Sequence, residues 1–470
     1  MSDVVIRGGL VVSLDPNRPD VFDGDVHYST DGQILAVGKD LPSPESSTEL
    51  DATGMIVMPG LIDSHRHPWQ SLLRGMSTDQ TVVQYRSAMR ASYGSRYAPE
   101  DVYAATLLAD LEALNSGVTT VADLAHIMNS PEHADAAIQA HHDSGQRVLF
   151  AHGAPNDGDA AAWWSHSSRT HPDDIRRIRT DVLNHDDALV TLGMFMRPPF
   201  LVDPDVLAHD LELARELDIH VSVDGGVGGG CWGSPRWGDR GLTPVKDIAD
   251  LGQLGPHITL VHCNNLPPQE LKLIADSGAN ISISPDHEMN CGHGLPATKN
   301  VLKFGIEPGL SIDSVIAVSG DMFAAMRSVL TSTRGIWADR AYENGEAIAS
   351  WDITSHDVLR FATVRSAAAC GMGGRIGSLV PGARADILLL KSDPFNLSLL
   401  NNPVATIVTT AHPGNVDTVI VDGKTVKRGG QMAYRGVDDV IGAAERARSR
   451  IIDDAGDTSA SRIDEWSVFS

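Results

Sequence analysis

Two histidines one residue apart, His65 and His67, close the run Met58-Pro59-Gly60-Leu61-Ile62-Asp63-Ser64-His65-Arg66-His67. On an extended strand, residues i and i+2 point to the same side, so both imidazoles can face one ion. Imidazole is also the commonest protein ligand for a metal. Two further polar residues stand where apolar runs end: His262 after Ile258–Val261, and Asp313 after Leu310-Ser311-Ile312. The chain holds 19 histidines, so an isolated pair of this kind would serve equally well as idle loop residues.

Such chemistry needs elements that bring those strand ends together. Eight segments read as strands: Met55–Asp63, Val118–Asp123, Arg147–Ala151, Leu189–Met196, Ile219–Asp224, Ile258–His262, Ile281–Ser284 and Leu310–Asp313. Helical patterns lie between most of them. Pro99–Leu114 carries a stripe of Leu107, Leu108, Leu111 and Leu114, then stops at Asn115-Ser116-Gly117. Ser130-Pro131 opens the next helix and Ser144-Gly145 ends it. Repeated strand–helix units predict a parallel sheet, and eight of them predict a closed (β/α)₈ TIM-type barrel. In that fold the site lies at the C-terminal ends of the strands. An open doubly wound sheet suits the sequence less, because no glycine-rich nucleotide turn follows an early strand.

The flanks differ from the centre. Residues 1–58 carry short β-rich segments at Val4–Ile6, Leu10–Leu14, Gly24–Tyr28 and Ile34–Val37. The texture returns over 376–432, at Ala385–Leu390 and Val416–Val421. Neither group has strands enough to hide its apolar face alone, so the two ends are expected to pair into a small β-sandwich domain. Residues 59–375 then form the barrel, and 433–470 a C-terminal helical extension with a helix over Val437–Ile452.

A formal charge of −24 over 470 residues argues against nucleic acid and anionic membrane as partners. No apolar run reaches the ~20 residues of a membrane span, and the N-terminus has no signal-peptide pattern. Four cysteines without a CxxC pair predict reduced thiols and a cytoplasmic protein.

The segment Pro-Gly-Leu-Ile-Asp-Ser-His-Arg-His, entered from a β-domain, resembles the signature of the amidohydrolase superfamily, most nearly its cytosine deaminase and triazine hydrolase branch. Leu260-Val261-His262-Cys263 is similar to that family's sixth-strand histidine, and Leu310-Ser311-Ile312-Asp313-Ser314 to its eighth-strand aspartate. Gly377–Asp386 resembles the return into the small β-domain, where Asp386 marks the fold and takes no part in chemistry. The resemblance implies a hydrolase of non-peptide carbon–nitrogen bonds, often dimeric or larger, that uses metal-activated water on a small, heterocyclic substrate. It implies one divalent ion, zinc first and iron, manganese or cobalt as alternatives, held by His65, His67, His262 and Asp313. His262 and Asp313 then act in catalysis as well.

The pattern breaks on the fifth strand. The family carries a metal-binding histidine there and, three residues later, a proton-shuttling glutamate; Ile219-His220-Val221-Ser222-Val223-Asp224-Gly225 puts Ser222 and Gly225 in those places. Asp224 and Glu288 are the candidates for the lost acid–base group, and Ser222, His152 and Trp232 for substrate contact. His220 binds metal only if the register shifts. His126 and His287 read as bystanders. The glycine-rich stretch from Gly225 to Gly230 lacks the GK[ST] of a phosphate loop and reads as a cover, with Trp232, Trp237, Trp163 and Trp164 offering apolar contact. A metal-free or non-hydrolytic enzyme of lyase or decarboxylase type, and an inactive scaffold, are the competing readings.

Overall fold

The structure, a computed structural model, describes residues 3–164, 166–226, 243–392 and 395–456. Eight parallel strands form the central sheet in chain order: β6 (Leu61–Arg66), β7 (Val118–Ala125), β8 (Arg147–His152), β9 (Val190–Met196), β10 (His220–Asp224), β11 (Ile258–Val261), β12 (Asn280–Ile283) and β13 (Gly309–Leu310). The last strand is only two residues long. Closure is made just beyond it, where Asp313 bridges Arg66. The Asp313 amide donates to the His65 carbonyl at 2.9 Å, and the His67 amide donates to the Asp313 carbonyl at 2.9 Å. The barrel is thus nearly closed, and its seam runs through three residues singled out for their chemistry.

The two ends of the chain build a separate mixed sheet of nine strands. These are β1 (Val4–Val12), β2 (Val21–Tyr28), β3 (Ile34–Gly38), β4 (Thr48–Asp51), β5 (Met55–Pro59), β14 (Ile387–Lys391), β15 (Val416–Val421), β16 (Lys424–Arg428) and β17 (Gln431–Met432). N- and C-terminal parts join where β5 pairs antiparallel with β14. The sheet curls, for a bridge between Gln33 and Arg384 returns β3 to the segment before β14. Inside it, Ile6, Val26, Ile34, Val57, Ile387 and Ile420 share one buried cluster apart from the main core.

Two local expectations change. Val4–Ile6 joins the start of Leu10–Leu14 in one strand, β1, which ends at Val12 and has a register break between Ile6 and Gly9. Conversely, Met55–Asp63 is two strands: β5 belongs to the curled sheet and β6 to the barrel. Gly60 hands the chain over, because a Cβ there would lie 2.1 Å from Thr119 Oγ1. Barrel and sheet are locked by Arg147 of β8, whose guanidinium donates to both oxygens of Asp386 at 2.6 and 3.0 Å in a buried, two-pronged ion pair. Asp386 is therefore structural, as its sequence context indicates. The C-terminal helix, Val437–Ala455, packs on helix Pro99–Asn115 and pairs Arg450 with Asp101. No helix among the described residues is long and apolar enough to cross a membrane.

Candidate active site

The strand period sets the first half of the site. His65 and His67 project from the end of β6 while Arg66, between them, reaches Glu112 at 2.7 Å. His67 Nδ1 donates to the Leu124 carbonyl at 2.8 Å, which leaves Nε2 as the unprotonated ligand atom. Across the seam stands Asp313, with Oδ1 3.5 Å from both His65 Nε2 and His67 Nε2. Those separations exceed an ordinary hydrogen bond. Both ring nitrogens of buried His65 lack a hydrogen-bond partner. Ligand atoms of His65, His67 and Asp313 all lie within 4.8 Å of one another. Orphaned imidazoles around a buried carboxylate, too far apart to bond and close enough to share an ion, fit a divalent metal.

His262 completes the constellation from the opposite oxygen, its Nε2 3.5 Å from Asp313 Oδ2. Both residues carry positive φ, 69° and 68°, an uncommon conformation for side-chain-bearing residues and one that gathers at functional sites. His262 Nδ1 donates to Glu288 Oε1 at 3.1 Å. Burial opposes a charge on this imidazole, but the Glu288 bond and the Asp313 carboxylate prevail and push its pKa up to about 9. Burial also opposes the Asp313 charge, yet the surrounding histidines hold it well below the usual carboxylate range. Beneath them Asp63 accepts from the Ile312 amide at 3.0 Å, again across the seam, and burial raises it to about 6.

Of the other predicted residues, Asp224 lies on the wall of the small cavity that His65, His67, His262 and Asp313 line. Glu288 does not reach that wall. Its oxygens accept from His262, from Asn264 Nδ2 at 3.1 Å and from the Ser284 amide at 2.9 Å, so it orients His262. Ser222 is fully buried with an unpartnered hydroxyl, off the cavity wall. His152 shares the outward face of Phe150 and pairs with His171 at 2.9 Å, behind the strand. Trp232 and Trp237 fall outside the described residues.

His220 is excluded as a ligand. Its Nε2 meets Thr259 Oγ1 at 2.9 Å, and its ring borders a cavity with Gly371 and Arg375 at the start of its strand, away from the mouth. The missing glutamate also has a cause in packing, since a Cβ on Gly225 would meet Leu260 Cβ at 2.8 Å and Cys263 Sγ at 2.9 Å.

Several residues near the candidate ion site were not assigned to it in the sequence. His287, read as a bystander, places Nε2 3.3 Å from Asp313 Oδ2. His293 packs 4.8 Å from His262, ring to ring. His126, the other supposed bystander, lies 4.1 Å from the His67 ring and accepts a hydrogen bond from Trp69 Nε1. Arg86 and Arg90 line the cavity from the π-helix Arg86–Tyr93. The pair His287/His293 flanking Cys291-Gly292 was the one available signal.

Taken together, a parallel barrel with imidazoles and a carboxylate converging at its seam defines an enzyme of the metal-assisted hydrolase class. A family profile described as Amidohydrolase family matches residues 56–426, and the chain belongs to that family. It is 27% identical over 457 residues to a 5-methylthioadenosine/S-adenosylhomocysteine deaminase of Symbiobacterium thermophilum, covering 96% of this chain and 100% of that one. A 5'-deoxyadenosine deaminase of Methanothermobacter thermautotrophicus is 26% identical, over 90% of this chain and 93% of its own. Among solved structures, a zinc-bound adenosine deaminase from Xanthomonas campestris matches with TM-score 0.80 and 21% identity, covering 96% and 98% of the two chains. A mutant atrazine chlorohydrolase from Arthrobacter aurescens, complexed with zinc and atraton, gives TM-score 0.80 at 20% identity, over 95% and 100%.

Proposed function

We propose that this protein hydrolyses a carbon–nitrogen bond of a small heterocyclic substrate, in the manner of the deaminases it is similar to. One observation carries the reading: His65, His67 and Asp313 converge on a single buried point, with His262 on the far oxygen of the same carboxylate. His65, His67 and Asp313 Oδ1 would hold one divalent ion, zinc by preference. Bound there, such an ion lowers the pKa of water and withdraws charge from the substrate.

The chain's own groups divide the remaining work. Asp313 Oδ2, turned to His262 and His287, accepts the proton of the attacking water. His262, charged and oriented by Glu288, stabilises negative charge developing on the substrate. Asp224, on the cavity wall, carries a proton to the leaving nitrogen. Residues 59–375 form the catalytic unit, and the curled terminal sheet, a small β-sandwich in outline, supports it. The same reading includes a cytoplasmic homo-oligomer. Buried thiols at Cys263 and Cys370 suit the first, and exposed Tyr342, Phe395 and Leu399 the second.

Ser222 and Gly225 favour one alternative, a lyase-type reaction without metal. Chelation separates the two. Ammonia release from a panel of aminated purines and triazines is expected to stop on stripping and to return with zinc. Unchanged turnover after complete stripping would sink hydrolysis at this centre.

A further inference from the structure

Arg90 is buried on the cavity wall, and no carboxylate among the described residues forms an ion pair with its guanidinium. It is 5% exposed, and its Nε lacks a hydrogen-bond partner. The Trp164 indole stacks on it, 4.0 Å from the guanidinium carbon. That stacking covers the flat face and leaves the edge donors, which are the ones that recognise planar oxyanions. Trp164 itself is 2% exposed, so the indole expected to pack on substrate packs on the arginine. Arg86 lies four residues earlier on the same π-helix and borders the same cavity.

A guanidinium cannot shed its proton, and burying its Nε–H without an acceptor is costly unless something bound supplies one. Carboxylates are present nearby, but Asp313 is engaged by four imidazoles and Asp224 makes no ion pair with Arg90 among the described residues.

We infer that the substrate is an acid, with a carboxylate close to the scissile bond that is received by the edge of Arg90 beside the His65–His67–Asp313 centre. The inference rests on the hydrolytic reading and narrows it, because a neutral nucleoside offers no such group. Arg90 is then a specificity-determining residue.

Matched probes test it: acetate against acetamide and benzoate against benzamide, titrated calorimetrically into the full chain, zinc-loaded and chelator-treated. An acid is expected to bind about tenfold or more tightly than its amide in both metal states, as for a hydrogen bond to a charged group. Arg90→Met, which keeps the stem over Trp164, should abolish the preference, and Arg90→Lys should retain part of it. Acid and amide binding alike in the chelated protein, absence of binding by either acid, or an undiminished preference in Arg90→Met would each overturn the proposal. If Arg90→Met does not fold, Arg90→Lys decides, since an unchanged preference there removes the role of the planar fork. Turnover indifferent to chelation, with the acid preference intact, would instead remove the hydrolytic reading and leave the acid site standing.

Discussion

The seam side of the barrel mouth and its fifth-strand side are built on different plans. At the seam, β6 and the residues after β13 supply candidate ligand atoms, held by backbone hydrogen bonds between the strands themselves. On the fifth strand, Ser222 offers a short unpartnered hydroxyl and Gly225 has no room for a side chain. Polar groups gather instead behind β12, where the short helix Pro285–Asn290 brings His287 to Asp313 and Glu288 to His262. The comparison teaches that one part of a site can lose its usual donors while a neighbouring loop repopulates the cavity. The seam cannot be rewired so cheaply, because there chemistry and barrel closure share residues.

Breaking the seam side should cost most. Asp313→Asn is expected to lower turnover by about 10³-fold and to reduce bound metal measured by elemental analysis. A variant with normal activity and metal content would show that the carboxylate is not central. On the other side, Glu288→Gln removes the charge that orients His262, and kcat should fall about 10- to 100-fold with the fold retained by circular dichroism. If KM alone changed, Glu288 would be contacting substrate instead. Restoring the family's residue with Gly225→Glu should give no gain in activity. It should instead lower urea stability by about 1–3 kcal/mol, since Leu260 and Cys263 occupy the space. A stable, more active variant would refute the packing argument.

The smallest effect lies behind the wall. His141 is buried between Asp110 at 2.8 Å and Asp123 at 3.0 Å. Burial disfavours its charge, but the two carboxylates prevail and raise its pKa from 6.5 to about 10. Its folded pKa exceeds its unfolded one, so its stabilisation is complete below pH 6.5 and fades as pH rises through about 10. Urea midpoints from pH 6.5 to 10 should fall for the wild type and fall less for His141→Gln. Parallel curves would mean that the imidazole is neutral throughout.

Much of this was legible beforehand. Strand order and the helices at Pro99 and Pro131 follow from periodicity, the pairing of His65 with His67 from the strand repeat, and the addition of His262 and Asp313 from the family resemblance. Positions set by long-range packing were not. Nothing local says that Met55–Asp63 divides at Gly60, since the reason is Thr119 on another strand. Arg86 and Arg90 look like surface helix charges until the helix is seen turned inward, and Glu288 looks like a free acid until its three donors are counted. His152 was misassigned because strand ends have two faces, and its own is the outer one.

The bridge between Arg66 and Asp313 has a thermodynamic corollary. A cation clasped by His65, His67 and Asp313 would staple the opening strand of the barrel to its closing one, shortening the largest excursion the unfolded polypeptide can make. Loading and folding are then linked equilibria, each drawing the other forward. Depleted protein should fray first along this join, and heat tolerance should rise with free metal concentration.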